Sequence, residues 1–166
     1  MKTLNINSFA QWVVYHFLLN GIPITPLKLQ KLLYYCQSWH LVYFEGNPLF
    51  DEQPKAWSNG PVYTSVYHSY KDDFLRHQLI EASKEVDIEK EYHSLGASFP
   101  LSDDQKELIR EVLNKYGSYT SAQLVFLTHS EKPWNEAREG CDPFGPCKIP
   151  ISFDTMRTYY GSRLKK

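Results

Sequence analysis

Apolar residues recur along the first twenty positions at the spacing of a one-sided helix, in the order Phe9, Trp12, Val13, Phe17 and Leu18. Asn7 or Ser8 is expected to cap it and Gly21 to stop it. Thr25-Pro26 then supplies an N-cap followed by proline at the first helical position, and no breaker follows before Gly46. Within that segment Leu29, Leu32, Leu33, Cys36, His40 and Tyr43 share one face, while Tyr34, Tyr35, Trp39, Leu41, Val42 and Phe44 spread apolar surface around the rest. A helix that is apolar nearly all round is expected at the centre of its domain.

Between residues 47 and 63 the pattern shortens. Pro48, Pro54, Asn59-Gly60 and Pro61 leave pieces such as Leu49-Phe50 and Ala56-Trp57, which read as a two-stranded ribbon or an extended loop. Helical spacing resumes through Val62, Tyr63, Val66, Tyr67, Tyr70 and Phe74. The stretch from Arg76 to Glu91, with Glu81, Lys84, Glu85, Asp87, Glu89 and Lys90, predicts a mobile excursion or a solvated edge. Ser102-Asp103-Asp104-Gln105 has capping-box spacing, so a helix is expected over 103–116, carrying Leu108, Ile109, Val112 and Leu113 and closed by Gly117. Shorter helices are expected through Leu124 to Leu127, from Pro133 to Gly140, and from Ser152 with Phe153, Met156, Tyr159 and Tyr160. The proline-rich stretch from Gly140 to Pro150 reads as a loop. The predicted fold is mainly α: a compact single-domain helical fold around a buried central helix, with a small two-stranded β element.

A length of 166 residues suits one domain, and 42% hydrophobic with 22% charged residues is too apolar for a disordered chain. With 18 Lys+Arg against 19 Asp+Glu, the net charge of −1 supplies no field for a polyanion. Lys28, Lys31, Lys71, Arg76, Arg163, Lys165 and Lys166 are scattered among acids, which argues against a nucleic-acid partner. The N-terminal stretch lacks signal-peptide features, and no apolar run approaches a membrane-spanning length. Cys36, Cys141 and Cys147 cannot all pair within one chain, which fits a reducing compartment, so a cytoplasmic location is expected. Cys141 and Cys147 lack zinc-knuckle spacing and read as two small apolar residues in a tight turn, while Cys36 on the buried helix reads as protonated and inert. Neither metal nor cofactor is expected.

No Gly-rich phosphate loop, His-Glu-x-x-His pair or Gly-x-Ser-x-Gly elbow is present, and no catalytic residue is assigned. His16 and His40 fall on apolar helices, His68 lies beside Tyr67 and Tyr70, and His129 ends a helix, where an imidazolium suits the dipole. A hydrolase built on His40, His68 or His129 would need carboxylates converging on one ring. Four Trp, twelve Tyr and nine Phe exceed what a core alone requires. Trp57, Tyr34-Tyr35, Tyr63, Tyr67, Tyr70 and Tyr159-Tyr160 are therefore candidates for a protein-binding face, against the plainer reading that most of them pack the core.

The segment from Leu27 to His40, Leu-Lys-Leu-Gln-Lys-Leu-Leu-Tyr-Tyr-Cys-Gln-Ser-Trp-His, resembles the Panacea domain, the SocA-like antitoxin-associated domain. The likeness continues through Asn47 to Glu52, Lys55-Ala56-Trp57, Asn59 to Tyr63, Val66-Tyr67 and Tyr70-Lys71. It resumes at Tyr116-Gly117, Leu124, Leu127-Thr128-His129, Lys132-Pro133-Trp134 and Ala137-Arg138. Cys36, where a small residue such as Ala is more usual, and the loop from Cys141 to Cys147 depart from the pattern. The resemblance implies a Panacea domain over 24–161, an N-terminal helix over 1–23 packed on it and a tail over 162–166. Its structural signature is Leu33, Trp39, Trp57, Gly60, Pro61, Pro133 and Trp134. Gly60-Pro61 suits a tight strand-to-helix corner, Trp57 is expected to cover the end of the central helix there, and Pro133-Trp134 repeats the device.

The function implied by the resemblance is that of an antitoxin that neutralises a cognate toxin, encoded by a neighbouring gene, through direct binding without catalysis. The alternatives are a proteolytic adaptor delivering its partner to a protease, and a phage or mobile-element regulatory protein. Tyr63, Tyr67, His68, Tyr70 and Lys71 are the expected partner-binding residues. On this reading Tyr63→Ala or Tyr67→Ala weakens neutralisation with the fold intact, whereas Trp57→Ala and Gly60→Ala act through lost stability.

Overall fold

The computed structural model describes residues 1–164; Lys165 and Lys166, part of the tail expected over 162–166, lie outside the described residues. The fold is mainly helical with one two-stranded antiparallel sheet, as the pattern predicted. Helix α1 spans Ile6–Leu19 and is capped by the Asn5 side chain, two or three residues before the expected Asn7 or Ser8. Helix α2, Pro26–Tyr43, starts as predicted: the Thr25 hydroxyl accepts from the Lys28 N–H and Pro26 occupies the first turn.

Helix α2 is the hub of the molecule, and every other helix among the described residues packs on it or on one of its direct neighbours. Fourteen of its eighteen residues are buried, so its polar side chains need partners inside the protein. They have them. Lys28 Nζ donates to the Gly117 carbonyl (2.8 Å), Ser38 Oγ to the Tyr34 carbonyl (2.8 Å), and Gln37 holds both the Leu49 N–H (2.6 Å) and the Phe50 carbonyl. His40 sits between the Asn47 carbonyl at Nδ1 (2.7 Å) and the Gln105 side-chain amide at Nε2 (3.0 Å).

Strands β1, Lys55–Trp57, and β2, Gly60–Val62, form the predicted ribbon, with Lys55 opposite Val62 and Trp57 opposite Gly60. The helical spacing after it is divided: α3, Thr64–Ser69, and α4, Lys71–Leu75, meet at Tyr70, which leaves helical geometry. The charged stretch from Arg76 to Glu91 is not a simple excursion. The Ile80 N–H donates to the Ile24 carbonyl (2.9 Å) and its side chain is buried, and helix α5, Ile88–Ser98, capped by Asp87, packs on α1.

Helix α6, Asp103–Gly117, begins with the predicted Ser102–Gln105 capping box. Helix α7, Ser121–His129, has a second capping box, Thr120 with Gln123. Helices α8, Lys132–Ala137, and α9, Phe153–Ser162, follow, the last capped by Ser152 as expected. Between them the loop runs beside β1, with Ala56 N–H to the Ile149 carbonyl (2.9 Å) and Ile151 N–H to the Pro54 carbonyl (2.7 Å). Cys141 and Cys147 in this loop form a disulfide, correcting the expectation of two unpaired small residues and removing the cysteine argument for a reducing compartment. Cys36 remains a buried free thiol, pushed upward in pKa by desolvation. Among the described residues no helix is long and apolar enough to cross a membrane.

Candidate functional site

The corner from Trp57 to Lys71 is held by side chains that reach its backbone. Gly60 has φ +106°, and a Cβ there would lie 2.5 Å from Lys31 Cε and 2.9 Å from Thr128 Oγ1, so both conformation and space require glycine. Beneath it Lys31 Nζ donates to the Pro61 carbonyl (3.2 Å). Gln30 grips Tyr63 from α2, its Oε1 accepting from the Tyr63 N–H (2.8 Å) and its Nε2 donating to the Tyr63 carbonyl (3.1 Å). Helix α3 has no capping side chain at its own N-cap; Glu52, from the preceding loop, accepts from the Ser65 N–H (3.2 Å) and hydroxyl.

The C-terminal half holds the other side of the ribbon. Trp134 Nε1 donates to the Trp57 carbonyl (2.8 Å), and Arg138 spans from the Ala56 carbonyl (2.7 Å) to those of Asp142 (3.0 Å) and Gly145 (2.7 Å). The two signature tryptophans therefore act jointly. The Trp57 ring meets Tyr67 edge-on at 4.9 Å, so it packs on α3. Trp134 stacks on His129 at 3.9 Å. Burial, with Lys31 and Arg138 nearby, depresses the His129 pKa, which opposes the imidazolium expected at that helix end.

Behind the ribbon, Glu131 at the start of α8 accepts hydrogen bonds from Tyr35 (2.6 Å) and Tyr160 (2.8 Å), and the Tyr160 hydroxyl, its one proton on the carboxylate, accepts from that of Tyr34 (3.0 Å). Burial raises the Glu131 pKa, and the two tyrosine hydrogen bonds oppose that rise. Tyr35 stacks on Tyr116 at 4.0 Å, and Tyr116 accepts from Trp39 Nε1 (2.8 Å). One carboxylate and its tyrosines thus tie α2, α8 and α9 together.

The residues expected to meet a partner are divided by the corner. Tyr67 and Tyr70 are half-buried with accessible surface, and His68 and Lys71 are exposed. Tyr63 is fully buried, edge-on to Phe50 at 5.2 Å, with its hydroxyl unpartnered, so it cannot meet a partner directly and supports the corner from inside. Of the signature residues, Leu33, Gly60, Pro61 and Pro133 are buried, while Trp39, Trp57 and Trp134 are half-buried. His40 has amide and carbonyl partners, His68 packs against Tyr67, and His129 stacks on Trp134, and among the described residues no carboxylate is hydrogen-bonded to any of the three. Gln30, Lys31, Glu52, Glu131 and Arg138 escaped the sequence reading as parts of this region. The readable signal was a set of polar residues within or beside an otherwise apolar helix, each of which must find a partner on folding.

The family described as Antitoxin SocA-like, Panacea domain matches residues 29–135, a span containing the ribbon, the corner and the Tyr35–Glu131 hydrogen bond. The chain is 36% identical over 120 residues to a protein named Antitoxin SocA from Caulobacter vibrioides (strain NA1000 / CB15N), an alignment covering 72% of this chain. The chain spans 62% of the length of that relative. No solved structure matches it. With a buried hub helix, a Gly60-Pro61 corner and paired tryptophans lying inside the matched span, the chain belongs to the SocA-like antitoxin family built on the Panacea domain.

Proposed function

We propose that this chain is an antitoxin that neutralises a toxin protein, encoded beside it, by direct binding and without chemistry of its own. Family membership over residues 29–135 is the observation that carries the reading. The contact face is the outer side of the corner, where Tyr67 and Tyr70 present partly exposed rings and His68 and Lys71 lie exposed around them. Tyrosine suits such a role, because a large amphipathic ring loses little conformational entropy on contact. A corner fixed from below by Gln30, Glu52 and Tyr63 presents these side chains from a rigid base, which lowers the cost of binding.

Co-expression with the product of the adjacent reading frame tests the reading. Wild type restores growth and co-purifies with that product, and Tyr67→Ala combined with Lys71→Ala reduces both while leaving the amount of folded protein unchanged. Failure of wild type to restore growth contradicts the antitoxin reading, and undiminished rescue by the double variant contradicts this face. A pulse-chase separates neutralisation from adaptor action. Sequestration leaves the toxin's half-life unchanged or longer, whereas delivery to a protease shortens it.

A further inference from the structure

Helices α1, α5 and α6 leave between them a surface cavity of about 300 Å³. That volume lies at the lower end of small-ligand sites and well above an ordinary packing void. Its walls are aromatic. The Trp12 indole is stacked with Tyr92 at 5.2 Å and with Phe9 and His16 at 5.8 Å each, and Phe99 meets it edge-on at 6.3 Å.

Two details distinguish the cavity from an incidental gap. Trp12 Nε1, like that of Trp57, makes no hydrogen bond among the described residues, whereas Trp39 and Trp134 each place theirs on an oxygen. Gly96 on α5 packs against that N–H edge, where a Cβ would stand 3.1 Å from Trp12 Nε1, so a larger residue there would press on the indole and narrow the cavity. The rim on α6 carries Lys106 and Arg110. Arg110 pairs with Glu107, and Lys106 has no acidic partner among the described residues.

We propose that this cavity binds a small, flat aromatic carboxylate, its ring against Phe9, Trp12 and Phe99 and its carboxylate at the Lys106 and Arg110 rim. Flat walls select a planar apolar group. Lys106, without an acidic partner among the described residues, and the neighbouring Arg110 select an anionic group at the rim. The corner face and its protein partner take no part in this argument, so either reading can fail alone.

Titration of the full chain with 2-naphthoate, followed by the four tryptophan indole N–H resonances, tests it, with the Trp12 signal assigned through Trp12→Phe. The expected result is a saturable shift of the Trp12 signal with those of Trp57 and Trp134 unmoved. Lys106→Ala combined with Arg110→Ala, both exposed positions, should weaken binding about fivefold, the scale of an exposed ion pair. The neutral 2-naphthalenemethanol should bind wild type about as weakly as the acid binds the double variant. Absence of a saturable Trp12 shift, or equal binding of acid and alcohol, overturns the proposal.

Discussion

Lys31 carries an ammonium group into a fully buried position with one carbonyl partner and no carboxylate, and desolvation lowers its pKa from 10.5 to about 7. The unfolded chain holds that proton up to the ordinary value, so between these values it binds more protons than the folded chain and stability rises with pH. Over pH 7 to 9, denaturant titrations of wild type should show stability rising by up to about 1.4 kcal/mol per pH unit, and Lys31→Met should flatten that slope. An equal slope in both proteins would remove Lys31 as its cause. Tyr63→Ala should lower stability by about 3 to 5 kcal/mol, the cost of emptying an aromatic core position. This reverses the expectation that the fold would survive it intact. Gly60→Ala should cost more than about 1 kcal/mol, because it combines a positive φ with the Lys31 and Thr128 contacts. Chemical denaturation reads both. The helical spacing that includes Tyr63 and Tyr67 is visible in the sequence, but spacing alone does not say that the backbone turns at Tyr63 and directs that ring inward. The direction is set by the Gln30 side chain, thirty-three positions away.

Most helices were legible because each carries a local start signal: Thr25-Pro26, Ser102 with Gln105, and Ser152 all cap where their chemistry predicts. Helix α5 was not. Its apolar stripe, Ile88, Tyr92, Leu95 and Phe99, lies within or just after a run of charges, and those charges mark its solvent side, not an absence of structure. Helix α5 is anchored chiefly on α1 through the Trp12–Tyr92 stack and the His16–Tyr92 hydrogen bond (3.0 Å). Tyr92→Ala should therefore raise amide exchange over residues 88–98 by about tenfold and leave α2 protected. A uniform rise across the chain would mean that α5 opens only with the whole fold. The Cys141–Cys147 disulfide was hidden for another reason: spacing can exclude a zinc knuckle, but only the path of the loop brings the two Cα atoms to 5.8 Å. Under denaturing, non-reducing conditions one thiol per chain, that of Cys36, should react with a thiol reagent, and three should react after reduction. Three before reduction would refute the bridge.

At the scale of the whole molecule the central helix organises everything else. An apolar circumference can be read from the positions of the apolar residues along the segment, and the structure surrounds it with α1, α6, α7, α9 and the ribbon. The family was legible because its signature is made of corner-forming residues whose spacing is imposed by that packing. The proposed binding face was legible only in outline, since the same aromatic residue types fill the core at Tyr63 and the surface at Tyr67. The central claim, that this family member acts by binding a protein partner through the corner, is tested most directly by calorimetric titration of the purified chain with the product of the adjacent gene. The account predicts saturable binding that Tyr67→Ala with Lys71→Ala weakens by at least about tenfold at a temperature where circular dichroism shows both proteins folded. Binding of equal strength by the variant, or none by wild type, would contradict it.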